Sequence, residues 1–213
     1  MMGMLVMSAL GAALVMATSI ETFIARNFHD GAGAFYAAEA AAASAVEELA
    51  SIGDWTAVLN GATRATWFDG MPGPRTLADG SSIDLAALIN LANCGHLSSC
   101  TDGEMAAATS QRPWGINNPR WRLFASGNLA NLLGAPSRFY VAVFVADDPA
   151  ETDGEPWADG SGPGNPGSGA LVVRAEAFGP GGAHSAVQLT AARADLTSIG
   201  PDTVRVVSWR AER

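Results

Sequence analysis

The chain has 213 residues, with 12 basic against 21 acidic ones and a formal net charge of −9. That balance argues against nucleic acid and anionic lipid headgroups as partners, because both need clustered Lys and Arg. There is no lysine anywhere in the chain, which excludes a phosphate-binding lysine site as well.

From Met1 to Ile20 no side chain is charged, and the first charge is Glu21. About 20 helical residues at 1.5 Å each cover the ~30 Å hydrocarbon core of a bilayer, so residues 1–20 predict a transmembrane helix. A cleaved secretory signal is the alternative, with Val15-Met16-Ala17 as a weak cleavage site. Against it, nothing basic precedes the apolar run, and the run is longer than the roughly 7–15 apolar residues such a signal needs. No lipobox cysteine is present, and Arg26 alone is too little to set topology. Small residues at Gly3, Ala9, Gly11, Ala12, Ala13 and Ala17 permit close helix approach.

Beyond Glu21 the helix continues and becomes amphipathic. Ile24, Phe28, Phe35, Ala38, Ala42, Val46, Leu49 and Ile52 fall mostly at three-, four- and seven-residue steps. The stretch AAEAAAASAVEELA has very high helix propensity. The candidate packing residues along the whole helix are Leu5, Leu10, Leu14, Ile20, Glu21, Ile24, Phe28 and Phe35. Gly31 and Gly33 mark a hinge, a close approach by a neighbouring backbone, or tolerated glycines in a straight helix. Gly53-Asp54 is the stop, so the first unit is 1–53.

Residues 54–213 are enough for one α+β head. Its first part, 54–137, is loop-rich, with Trp55, Trp67 and Phe68 as core contacts and turn chemistry over 70–82. A short helix is predicted over Ile83–Asn93, with Ser82 or Asp84 near its start, and a loop over 101–120. Trp121–Phe124 is a short strand. The second part, 138–213, is a β-meander. Its strands are Arg138–Ala146, Ala170–Phe178 and Ala186–Ala194. A fourth, Val204–Trp209, carries Val204, Val206 and Ser208 on one face. Phe178-Gly179-Pro180-Gly181-Gly182-Ala183 is the turn between the second and third. Packing the meander on the amphipathic half of the helix buries both apolar faces.

Cys94 and Cys100, in NCGHLSSC, suggest one local disulfide in an exported domain; two free thiols are the alternative. A zinc site around His96 lacks a second ligand pair. Asp147, Asp148, Glu151, Asp153, Glu155 and Asp159 form an acidic stretch with no basic residue among them. Close oxygens with flexible glycines are what Ca²⁺ takes, at 6–8 ligands, although the EF-hand spacing is absent. The plainer reading is a solvated acidic loop. Gly162-Pro163-Gly164-Asn165-Pro166-Gly167 formally matches G-x-G-x-x-G. It follows an acidic loop and leads into a strand, so it reads as turn-rich chain. His29, His96 and His184 are scattered and no nucleophile motif occurs, so an enzyme is not expected. The six tryptophans are core residues or an exposed aromatic binding surface.

Two segments carry a family resemblance. Asn27-Phe28-His29-Asp30 followed by Ala34-Phe35-Tyr36-Ala37-Ala38-Glu39-Ala40-Ala41 resembles the region after the membrane run in PilX-like minor pilins of type IV pili. The likeness covers about the first fifty residues, and the GALVVRAEAF and VRVVSW stretches are similar in style. The resemblance implies a pilin-like fold, with a long N-terminal helix half in the membrane and a small α+β head. It also implies assembly into a filament with copies of itself or other pilins. The subunit would wait in the bacterial inner membrane, be processed by a prepilin peptidase and end in a surface fibre. Pilins are made with a short basic leader, which is not visible from Met1 onward, and many carry glutamate at the fifth mature position, where this chain has Leu5. The runner-up is a membrane-anchored surface protein whose head binds a ligand, with the acidic loop as its site.

Overall fold

The computed structural model describes residues 2–160, 169–193 and 204–212. A single helix, α1 (Met2–Ser51), takes up its first 50 residues and is about 75 Å long at 1.5 Å per residue. It passes Gly31 and Gly33 without a break. A Cβ on Gly31 would meet nothing, whereas one on Gly33 would lie 2.6 Å from the ring of Phe139. The close approach therefore occurs at Gly33, and a side chain makes it. The same ring covers Gly179, where a Cβ would overlap it, so Phe139 is wedged between the helix and the hairpin turn.

The C-terminal carbonyls that a helix leaves unsatisfied find partners here. The Trp55 indole donates to the carbonyl of Leu49 at 3.0 Å, and Arg193 donates to that of Ile52 at 3.1 Å. Asp54 then caps α2 (Trp55–Leu59) by accepting from the Ala57 amide. A small hairpin follows, β1 (Pro74–Thr76) with β2 (Ser82–Asp84). Asp84 is the N-cap of α3 (Leu85–Cys94), accepting from Ala86 and Ala87, and Gly95 closes that helix with φ of 81°, a conformation only glycine adopts readily. The 101–120 segment contains α4 (Asp102–Met105), started by a Thr101–Glu104 capping box.

The main sheet has five strands in chain order, all antiparallel: β3 (Arg122–Asn128), β4 (Tyr140–Asp147), β5 (Ala170–Phe178), β6 (His184–Arg193) and β7 (Val204–Glu212). The expected meander is present, and β5 has the expected bounds. The described part of β6 ends at Arg193, and Ala194 lies outside the described residues. The strand expected at 121–124 extends to Asn128, and α5 (Leu129–Leu133) follows it between the Asn128 cap and Gly134. In β7, Thr190 pairs with Ser208 but Ala191 pairs with Val206, leaving Val207 as a bulge. Ser208 therefore sits on the opposite face from Val206, contrary to the simple alternation.

Each sheet face has its own core. On one, Val141, Val143, Val145, Leu171, Val173 and Val187 meet the buried alanines of α1 (Ala37, Ala38, Ala41, Ala42, Ala45) and Leu49. Alanine lets the helix backbone approach a valine-lined sheet closely without voids. Trp55 is buried in this cluster and Trp67 packs at its edge. On the other face, Leu85, Trp121, Leu123, Tyr140, Phe144 and Phe178 form a second cluster beneath α3, with Phe68 against it. The β3 edge is covered by the preceding segment, with Ala65 donating to Phe124 and Asp69 to Ser126. The Asp69 carboxylate accepts from Tyr140, Arg75 and Ser126, which ties that segment down.

Candidate functional site

Burial divides α1 in two. Every described side chain before Asp30 is exposed, including Leu10 at 65%, Leu14 at 67%, Ile20 at 59%, Ile24 at 63% and Phe28 at 80%. Glu21 is exposed among them; Leu5 lies in the helix, with its side chain outside what the structure describes. From Asp30 onward the helix is docked on the sheet, and Phe35 is half-buried against the main core. The amphipathic stripe expected to begin at Ile24 therefore begins later, its first buried apolar residue being Ala34. Ile24 and Phe28 belong to the projecting half.

This projecting half suits a medium without water. Its apolar window contains no buried residue, and by length and composition the helix can cross a membrane. The hydroxyls inside it are satisfied by the helix itself. Thr18 donates to Leu14 at 3.1 Å, Ser19 to Val15 at 2.8 Å and Thr22 to Thr18 at 2.8 Å. Such internal pairing is required of polar groups where no water can reach them. Gly3 and Gly11 have open space around them, leaving a smooth strip for another helix.

At the point where the helix leaves the head, Asp30 is nearly buried and accepts from Arg138 at 3.2 Å, with His29 at 3.6 Å. Arg138 precedes β4, and Phe139 beside it is the wedge on Gly33. Neither anchor is marked as a site by a local sequence pattern. The available signal was a lone Asp within an alanine-rich helix.

The acidic stretch is folded against the head instead of being a solvated loop. Asp147 and Glu151 are buried; Asp148 and Asp159 are half-buried; Asp153 and Glu155 are exposed. Four of the six turn one oxygen to a backbone amide of the same loop. Asp148 accepts from Ala150, Glu151 from Gly160, Asp153 from Glu155 and Asp159 from Gly169. Trp157 anchors the loop by stacking on Arg122, whose guanidinium carbon lies 4.1 Å from the ring centroid. Among the described residues, no group of three or more His, Cys, Asp or Glu is placed to hold a metal ion. The calcium expectation thus gains nothing from the geometry. Burial, with the charge of Glu151 next, pushes the Asp147 carboxyl up to about 8, so it is protonated at neutral pH.

Cys94 and Cys100 form a disulfide with Cα atoms 6.0 Å apart. It closes the loop after α3 and fixes the start of the 101–120 segment. His96 lies beside it, 3.3 Å from Glu104. The glycine-proline run 162–167 lies outside the described residues.

No family model matches the chain, and no curated protein or solved structure matches it significantly. What stands is the architecture: an α+β chain whose long N-terminal apolar helix packs by its second half on a five-stranded antiparallel sheet.

Proposed function

We propose that this chain is a structural subunit of a type IV pilus or related filament, of the pilin-like kind, polymerising through its N-terminal helix. The observation that carries the reading is the division of one unbroken helix into an apolar half whose described side chains are exposed and a half docked on the head. An uncovered apolar rod of this size is unstable in water. Lipid satisfies it, and so does a bundle of like helices, because neither offers a large hydrophobic advantage over the other. The subunit can therefore wait in the inner membrane and pass into a filament core at small net cost. The sequence resemblance of residues 27–41 to PilX-like minor pilins supports the same reading. Its partners are then copies of itself or other pilins, with a prepilin peptidase and the assembly machinery.

Cell-surface shearing tests this directly. The chain is expected in the sheared filament fraction of producing cells, and is expected to disappear from it when the prepilin peptidase gene is deleted. A chain that stays entirely with the membrane, and is single particles in detergent, is an anchored monomer and not a filament subunit.

A further inference from the structure

The outer face of the sheet is covered unevenly. Under α3 and the 101–120 segment, β3 to β5 are sealed by the second core. The cover stops at β5, and beside it Gln188, Thr190, Ser208, Arg210 and Glu212 line the bare face of β6 and β7. The step between cover and bare sheet is a groove of about 600 Å³, bounded by Trp114, Trp121, Arg174, Gln188 and Arg210. It runs on into a second hollow of about 480 Å³ ending at Glu176 and His184, with Gln111 and Arg112 lining both.

The floor is a fixed lattice of donors and acceptors. Arg174, Gln188 and Arg210 are cross-strand neighbours on β5, β6 and β7, and Thr190 and Ser208 form the next row. Arg210 donates to Gln188 at 3.1 Å, and Ser208 donates to Thr190 at 2.8 Å. Arg174 pairs with Glu176 at 2.8 Å and Glu212 at 2.7 Å, and His184 pairs with Glu176 at 2.9 Å. The wall is equally fixed. Asn118 is fully buried, donates to Met105 and Ala107, and accepts from the Trp114 amide. Trp114 nevertheless remains 45% exposed at the rim.

We infer that this groove is a binding site for a neutral oligosaccharide. A sugar hydroxyl both donates and accepts, so it needs donors and acceptors side by side, which is what the Arg–Gln and Arg–Glu pairs offer. A sugar ring also has an apolar face that stacks on an exposed indole such as Trp114. The charges argue against other small ligands. Arg112, Arg174 and Arg210 are interleaved with Asp148, Glu176 and Glu212, so an anion or a cation meets a like charge along the groove. Because the side chains are already held, little rotamer entropy is lost on binding. The site lies on the head and holds whether or not the chain polymerises.

The test uses the full chain in lauryldimethylamine oxide, a detergent without a sugar headgroup. Cellotriose, maltotriose and N,N′,N″-triacetylchitotriose are the neutral probes, with 3′-sialyllactose and spermidine as charged comparators. The readouts are the tryptophan indole N–H resonances and tryptophan emission. At least one neutral trisaccharide is expected to give a saturable change with Kd of about 1 mM or tighter. Trp114→Ala is expected to weaken it about tenfold, and Arg210→Ala, at a highly exposed site that cannot threaten the fold, severalfold. Three outcomes overturn the inference: no neutral probe saturates, a charged comparator binds more tightly than every neutral one, or both variants bind as the parent does.

Discussion

The two halves of α1 have the same backbone geometry and opposite surroundings. The second half is stabilised by alanines meeting a valine-lined sheet, so its contribution is internal to the head. The first half has large apolar side chains with nothing against them. The lesson lies in residue size. Against the sheet the buried face is mostly alanine, with Ala34, Ala38, Ala41 and Ala45; on the projecting half the large side chains Leu10, Leu14, Ile20 and Phe28 stand exposed beside small ones such as Gly11 and Ala13. Small residues seat a known neighbour at short range, while large ones collect free energy from whatever medium they meet.

Paired substitutions test that contrast, and the largest effect is expected at the buried end. Leu49→Ala should destabilise the head by about 3 kcal/mol through lost burial and a cavity, seen as a lower thermal midpoint. Leu14→Ala should leave that midpoint unchanged while weakening membrane fractionation. Equal effects at the two sites would mean that the first half is also docked on protein.

Next in size is a pH dependence confined to the head. The Asp147 carboxyl ionises near pH 4 when unfolded and only at about 8 when folded. Its raised pKa means that its contribution is fully present below pH 4 and is lost as pH rises through 8. Stability should therefore decline across that window, by about 2 kcal/mol once relaxation of the loop is allowed for. Asp147→Asn should flatten the decline, and membrane fractionation should not follow it. An unchanged slope in the variant would show that another group is responsible.

A smaller pair of changes sharpens the boundary. Gly31→Ala places a methyl in open space within a helix and should stabilise by about 0.5–1 kcal/mol. Gly33→Ala brings its methyl against Phe139 and should forfeit that gain. Smallest of all, Asp30→Asn should cost less than about 1 kcal/mol, because Arg138 is more than half exposed, and the cost should shrink in high salt. Thermal melts in two salt concentrations measure both.

Much of the fold could be read in advance because the strands alternate and the helix is long. The Val-rich runs place β4 and β5 nearly to the residue, and the uncharged run marks the apolar half of α1. Other features depend on residues far apart in the chain. The Phe139 wedge joins Gly33 to Gly179, and no local pattern announces it. The helix stripe is periodic on both sides of Asp30, so its period could not say where the head ends. In the acidic loop, a count of carboxylates cannot say that several of them accept from nearby backbone amides, as Asp148 does from Ala150. The bulge at Val207 reversed a face that strict alternation assigned. The polar groove is built from β5, β6, β7 and a loop before β3, and becomes a site only when those strands are laid side by side.

The capped end of α1 has a mechanical consequence. A load applied to the projecting half is transmitted along the helix axis into the head. There it meets the alanine seam in shear, so the contacts must slip together and cannot be peeled apart one by one. Trp55 and Arg193 grip the far end, and Glu48 holds Thr66 just before it. A pull on the projecting half would thus be spread over several strands of the head.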